Sequence, residues 1–150
     1  MKIDARGIGA CVLLLLGLGF GPPILAQSAA KSLKDQIVGH WQLVSVTING
    51  GTPYGTAPQG SMFLDADGHL SVIVISDGAA RNIAYFGTYT VDDASKSISI
   101  HIDGSSGGVG NASGRTFKRL VQVQGNEMVL ANQTPTGALG PLEQTWKLAN

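Results

Sequence analysis

The stretch Ile83-Ala84-Tyr85-Phe86-Gly87-Thr88-Tyr89-Thr90-Val91, closed by Asp92-Asp93-Ala94-Ser95, decides how this chain folds. Aromatic and β-branched residues crowd it, and those side chains suit a pleated, half-buried surface. Two aspartates, an alanine and a serine then read as a turn, because Asp side chains bond their own backbone a residue or two on. A strand has a side-chain period of two, so Tyr85, Gly87, Tyr89 and Val91 share one face. Phe86, Thr88 and Thr90 share the other. Glycine weakens a strand interior, so Gly87 marks a bulge, a kink or room for a ligand.

The same pattern repeats outward in both directions. On the N-terminal side, Trp41 to Ile48, Gly60 to Leu64 and His69 to Ser76 are strand-like, with Asn49-Gly50-Gly51 and Asp65-Ala66-Asp67-Gly68 as punctuation. On the C-terminal side, Ser97 to Asp103 alternates Ile98, Ile100 and Ile102 with Ser99, His101 and Asp103. Arg115 to Val123, Glu127 to Gln133 and Glu143 to Ala149 supply three more. Gly104 to Gly114 reads as a long Gly/Ser/Asn loop. No helical pattern lies between strands, which excludes a parallel βαβ arrangement. Eight antiparallel strands with short links predict an up-and-down barrel, with a two-sheet sandwich as the runner-up; a closed barrel of this size is filled by side chains or holds one small ligand. A short helix over Leu33 to Val38 precedes them, with Ser32 as N-cap, Asp35 in the first turn and Gly39 as terminator.

The first 26 of the 150 residues have a different character. Lys2 and Arg6 precede an apolar run from Gly7 to Phe20, Gly21-Pro22-Pro23 breaks it, and Ile24-Leu25-Ala26 offers a small residue before Gln27. This predicts a secretory signal peptide over 1–26, a loose tail over 27–32 and one domain over 33–150. The run is shorter than the ~20 residues a spanning helix needs, so no stable membrane span is expected after cleavage. The expected location is periplasmic or secreted. The single cysteine, Cys11, lies in the signal segment. A chain starting at Gln27 has no disulfide and carries 8 basic and 9 acidic side chains, counted from the 10 of each sign less Lys2, Arg6 and Asp4. Nothing here resembles the basic footprint that nucleic acid requires.

Chemistry-bearing motifs are sparse. No cysteine nucleophile remains, and Gly104-Ser105-Ser106-Gly107 is one residue short of a nucleophile elbow. His40, His69 and His101 lack metal-ligand spacing. Asp65-Ala66-Asp67-Gly68 has its glycine in the wrong place for a calcium loop and reads as a hairpin turn. No catalytic residue, metal or cofactor is therefore expected. The polar groups able to line a barrel are Tyr85, Tyr89, His101 and an arginine such as Arg119, on the face that Arg115, Phe117, Val121 and Val123 share with it. Alternation alone turns the isoleucines of Ser97–Asp103 inward and His101 outward. Trp41 and Trp146 read as packing residues, with Arg119 or Lys147 as the cation to stack on such a ring.

Four stretches together carry a family likeness. Gly39-His40-Trp41 resembles the Gly-x-Trp signature of lipocalins. Asp65-Ala66-Asp67-Gly68-His69-Leu70-Ser71, Ala84-Tyr85-Phe86-Gly87-Thr88-Tyr89-Thr90-Val91-Asp92 and His101-Ile102-Asp103-Gly104-Ser105 are similar to motifs of the bacterial and fungal lipocalin-like domain. The likeness runs from about Leu33 to Leu148 and departs from the family in the 104–114 loop. It implies an eight-stranded calyx for a small, mostly apolar molecule, with His101 toward the cavity beside Tyr85, Gly87, Tyr89 and Arg119, and Trp41 and Gly39 in structural roles. The alternatives are a filled-barrel envelope protein that grips a protein partner through its outside, and an acid–base isomerase or hydratase using the histidine and tyrosines.

Overall fold

The Tyr-Phe-Gly-Thr-Tyr block lies at the middle of a strand that runs Asn82–Asp92. The computed structural model describes residues 31–78, 81–107, 112–132 and 141–149. The expected signal segment 1–26, and the tail as far as residue 30, lie outside the described residues. In chain order the elements are α1 (Leu33–Ile37), β1 (Gly39–Ile48), β2 (Gln59–Leu64), β3 (His69–Ile75), β4 (Asn82–Asp92), β5 (Ser97–Gly107), β6 (Thr116–Gln124), β7 (Glu127–Asn132) and β8 (Leu142–Leu148). Each strand pairs antiparallel with the next, and β8 pairs back onto β1 through Trp41↔Leu148 to Ile48↔Leu142. The result is a closed eight-stranded up-and-down barrel.

Alternation in the sequence becomes inside and outside of the wall. Along β3, Leu70, Val72 and Val74 are buried while His69, Ser71, Ile73 and Ile75 are exposed. Ile98, Ile100 and Ile102 of β5 are buried, and His101 and Asp103 are exposed. Two bulges interrupt the phase. Val44 is the extra residue of β1 against β8, so Leu43 and Val46 both face inward. Asp103 is the extra residue of β5, lying between the pairs Phe86↔Gly104 and Gly87↔Ile102.

The second bulge explains Gly87. A Cβ built there would fall far inside the van der Waals contact distance of the His101 carbonyl oxygen, so only glycine lets β5 approach this closely. The bulge also corrects one expectation. Residues 104–107 do not open the predicted loop; they continue β5, with Gly104, Ser105, Ser106 and Gly107 opposite Phe86, Tyr85, Ala84 and Ile83. Their composition favours turns, but pairing with β4 satisfies their backbone groups, and tertiary pairing overrides weak propensity.

The base of the barrel is the packed end. Ser32 accepts from the Asp35 amide at 3.1 Å and caps α1. The Asp93 carboxylate, in the turn after β4, accepts from the Leu33 amide at 2.8 Å and ties the helix to the barrel. Leu33 and Ile37 are buried, and the Trp41 indole donates to the Ile37 carbonyl at 2.7 Å. Trp41, Met62, Met128 and Trp146 are each 1% exposed or less, so this end is filled by side chains. The Trp146 indole N–H has no hydrogen-bond partner among the described residues. Gly39, with φ +148° and the Leu148 side chain against it, is where the chain turns from α1 into β1. The turn after β2 forms as a hairpin: the Asp65 amide donates to the His69 carbonyl, the His69 amide donates to the Asp65 carboxylate, and Gly68 takes φ +97°.

Candidate functional site

At the end opposite α1 the interior is not filled. A cavity of about 240 Å³ is framed by the ends of β1 and β7, the middle of β5 and the starts of β4, β6 and β8. Its apolar wall is Ile48, Ile83, Ile100, Ile102, Phe117, Leu130 and Leu142. Its polar groups are Tyr54 from the β1–β2 connection, Arg81 just before β4, Tyr85 on β4, Arg115 and Arg119 around the start of β6, and Gln144 on β8. A larger groove, about 360 Å³, runs over the outside of β3–β5 past Ile73, Phe86 and Ser106. It lies open to solvent and carries no charged side chain, whereas ligand sites enclose most of the ligand surface. The enclosed cavity is the better candidate.

The sequence-predicted residues divide between these places. Tyr85 and Arg119 line the cavity. Tyr89 faces inward but sits nearer the packed base, where its hydroxyl donates to the Asp65 carbonyl at 2.5 Å. It is a packing residue that holds the β2–β3 turn, not a cavity group. Gly87 is an inward position occupied by backbone contact with β5 rather than by ligand space. His101 is outside the barrel: its Nδ1 lies 3.2 Å from the Thr116 hydroxyl, its Nε2 lies 3.7 Å from Asp103, and 48% of its side chain is exposed. The isoleucines on either side take the inward positions, so the period of two carries the histidine away from the cavity. The arginine stack also differs from expectation. Arg115 and Arg119 lie 5.3 Å and 5.2 Å from the centroid of Phe117, not on a tryptophan, and Lys147 faces solvent. The tryptophans are at the base, out of reach of the β6 arginines at the mouth.

Tyr54, Arg81, Arg115 and Gln144 complete the site, and only Arg115 carries a sequence signal, through the face it shares with Phe117 and Arg119. Tyr54 and Arg81 lie in connections, where no alternation says which way a side chain turns.

The electrostatics follow from enclosure. Burial pushes the Tyr85 phenol up to about 12, against the pull of the Arg119 guanidinium and with a further push from Tyr54. Desolvation holds Arg119 below its ordinary value, with Tyr85 opposing. Burial also raises Tyr54, and Arg81 opposes it. At neutral pH the tyrosines are therefore neutral donors and the guanidiniums remain charged. Among the described residues, the hydroxyls of Tyr54 and Tyr85 and the amide of Gln144 make no side-chain hydrogen bond and line the cavity. The chemistry on offer is an apolar chamber with several unused donors.

No family model matches the chain, and no curated protein matches it.

Proposed function

We propose that this is an exported, lipocalin-like protein that binds a small, mostly apolar molecule inside the barrel. The observation that carries the reading is the enclosed cavity itself: one end of the barrel is packed solid around Trp41 and Trp146, and the other holds about 240 Å³ walled by isoleucines, leucines and Phe117. Leaving that volume empty forfeits packing contacts, a cost that an occupant removes. A barrel of eight strands is of the size that holds one small ligand. Export rests on the N-terminal sequence pattern alone.

The test uses a neutral apolar fluorophore, N-phenyl-1-naphthylamine, titrated with the purified protein. Binding in the micromolar range, about 8 kcal/mol, is expected. Tyr85→Ala weakens it while far-UV circular dichroism and the folded state are retained. No binding by the parent, with Tyr85→Ala lowering only stability, overturns the reading.

A second reading rests on a separate observation. Phe63, Ile73, Ile75 and Phe86 are between 46% and 59% exposed on the outer faces of β2–β4, an apolar patch that a protein partner can cover. The acid–base alternative loses its histidine, because His101 faces outward.

A further inference from the structure

The arginines are distributed in a way that the apolar reading does not use. Beyond Arg6, the chain contains three, Arg81, Arg115 and Arg119, and all three line the one cavity. Among the described residues, no lysine does. A solvated surface would scatter both types. Arg is the side chain suited to enclosed recognition of an oxyanion, since its planar fork is weakly hydrated and donates two parallel hydrogen bonds.

Among the described residues, none of these charges is paired with a carboxylate. The ion pairs among the described residues are His69 with Asp65 and His101 with Asp103, both outside the cavity. Among the described residues, no Asp or Glu lines the cavity. Of the stretches outside the described residues, 79–80, 108–111 and 133–140 contain no Asp or Glu, and 1–30 contains Asp4 alone. Asp77, Asp103 and Glu143, the carboxylates closest in sequence to the mouth residues, are exposed and are not among the residues that line the cavity; Arg81 and Arg115 are exposed at its rim, and Arg119 is half-buried. Arg119 spends one N–H on the Lys118 carbonyl at 3.0 Å, and Arg81 and Arg115 make no side-chain hydrogen bond among the described residues. Arg119 is desolvated without compensation by a carboxylate, the situation in which burying a charge is costly unless it is paired.

We infer that the cavity takes an amphiphile with a single anionic head, whose oxyanion pairs with Arg119 and Arg115 while Tyr85 donates a further hydrogen bond and the tail lies against Ile83, Ile100 and Ile102. This deepens the binding reading above and rests on it. Size limits the ligand as well. About 240 Å³ equals the volume of roughly eight waters at ~30 Å³ each, or an organic molecule of about ten non-hydrogen atoms. A medium-chain carboxylate or monoalkyl phosphate fits; a long-chain lipid does not fit inside whole.

The test holds the tail constant and changes the head. Isothermal titration of the purified protein with octanoate, octyl phosphate, 1-octanol and octylammonium separates charge from apolar burial. One of the two anions binds at least ten-fold tighter than 1-octanol, octylammonium binds weakest, and the anion's affinity falls as salt is raised from 50 to 500 mM. Whichever anion ranks first identifies the head as carboxylate or phosphate. Arg119→Met keeps the length and apolar bulk of the side chain; it removes most of the anion preference and leaves 1-octanol binding in place, while Arg119→Lys restores part of the preference. If 1-octanol binds as tightly as both anions, the anionic head is refuted and the apolar-ligand reading stands. If none of the four binds, the ligand reading fails and this inference with it. A preference that survives unchanged in both Arg119→Met and Arg115→Met refutes the assignment of the arginines. The salt dependence of the unmodified protein tests the inference even if a variant fails to fold.

Discussion

Gly87→Ala is the sharpest perturbation of the barrel. The added Cβ meets the carbonyl oxygen of His101 and stands beside the backbone nitrogen of Asp103 at 3.1 Å. Both neighbours are main chain held in the β4–β5 ladder, so neither can rotate away. Relief requires β5 to move off β4 at the bulge. Overpacking of this kind costs about 1–3 kcal/mol. Loosening the two nearest ladder bonds adds about 1 kcal/mol each. The gain in strand propensity from replacing glycine is only about 0.5–1 kcal/mol and does not offset it. The net expectation is a loss of about 3 kcal/mol, or a fall in melting temperature of roughly 10–15 °C for a domain of this length. Gly104→Ala is the matched control in the same bulge. Its Cβ meets the Phe86 ring at 2.5 Å, but that ring is 59% exposed and free to swing aside, so the cost stays below about 1 kcal/mol. Thermal and urea denaturation of the two variants measure the difference. Equal melting temperatures, both close to the parent's, refute the argument that backbone approach is what position 87 requires.

Two more outcomes are expected. Trp41→Phe removes the indole donor from the Ile37 carbonyl in a buried setting, so stability falls by about 1–3 kcal/mol and amide exchange over Leu33–Ile37 accelerates; unchanged protection of α1 contradicts its docking through Trp41. The three tyrosines Tyr54, Tyr85 and Tyr89 are all raised above 10 by burial, with Tyr85 at about 12. Folding thus favours their neutral forms, and this contribution to stability is complete below pH ~10 and is lost as pH rises toward ~12. Alkaline absorbance titration of the native protein shows phenolate appearing later than in the urea-unfolded chain, and coincident curves contradict the enclosure of these rings.

Local chemistry made much of the fold legible. Alternation of Ile98, Ile100 and Ile102, the Asp65–Gly68 hairpin and the helix capped by Ser32 are each decided by residues within one turn of one another. In the turn after β4, Asp92 accepts from the amides of Ala94 at 3.0 Å and Ser95 at 3.1 Å, a pattern written in four consecutive residues. Eight strands joined by short links leave few topologies other than a closed meander, so the barrel too was within reach of the sequence.

The site was only half legible, because cavity membership depends on which strands become neighbours at the mouth. Tyr85 and Tyr89 share a face and a strand, yet one lines the cavity and the other bonds Asp65 near the base that α1 and the tryptophans fill. His101 stands next to inward isoleucines and ends outside. Arg81 and Arg115 precede different strands, and nothing local says that their side chains converge with Arg119. Secondary structure follows from interactions between near neighbours in the chain. The gathering of three arginines around an apolar chamber follows from barrel register, which exists only once distant strands have paired.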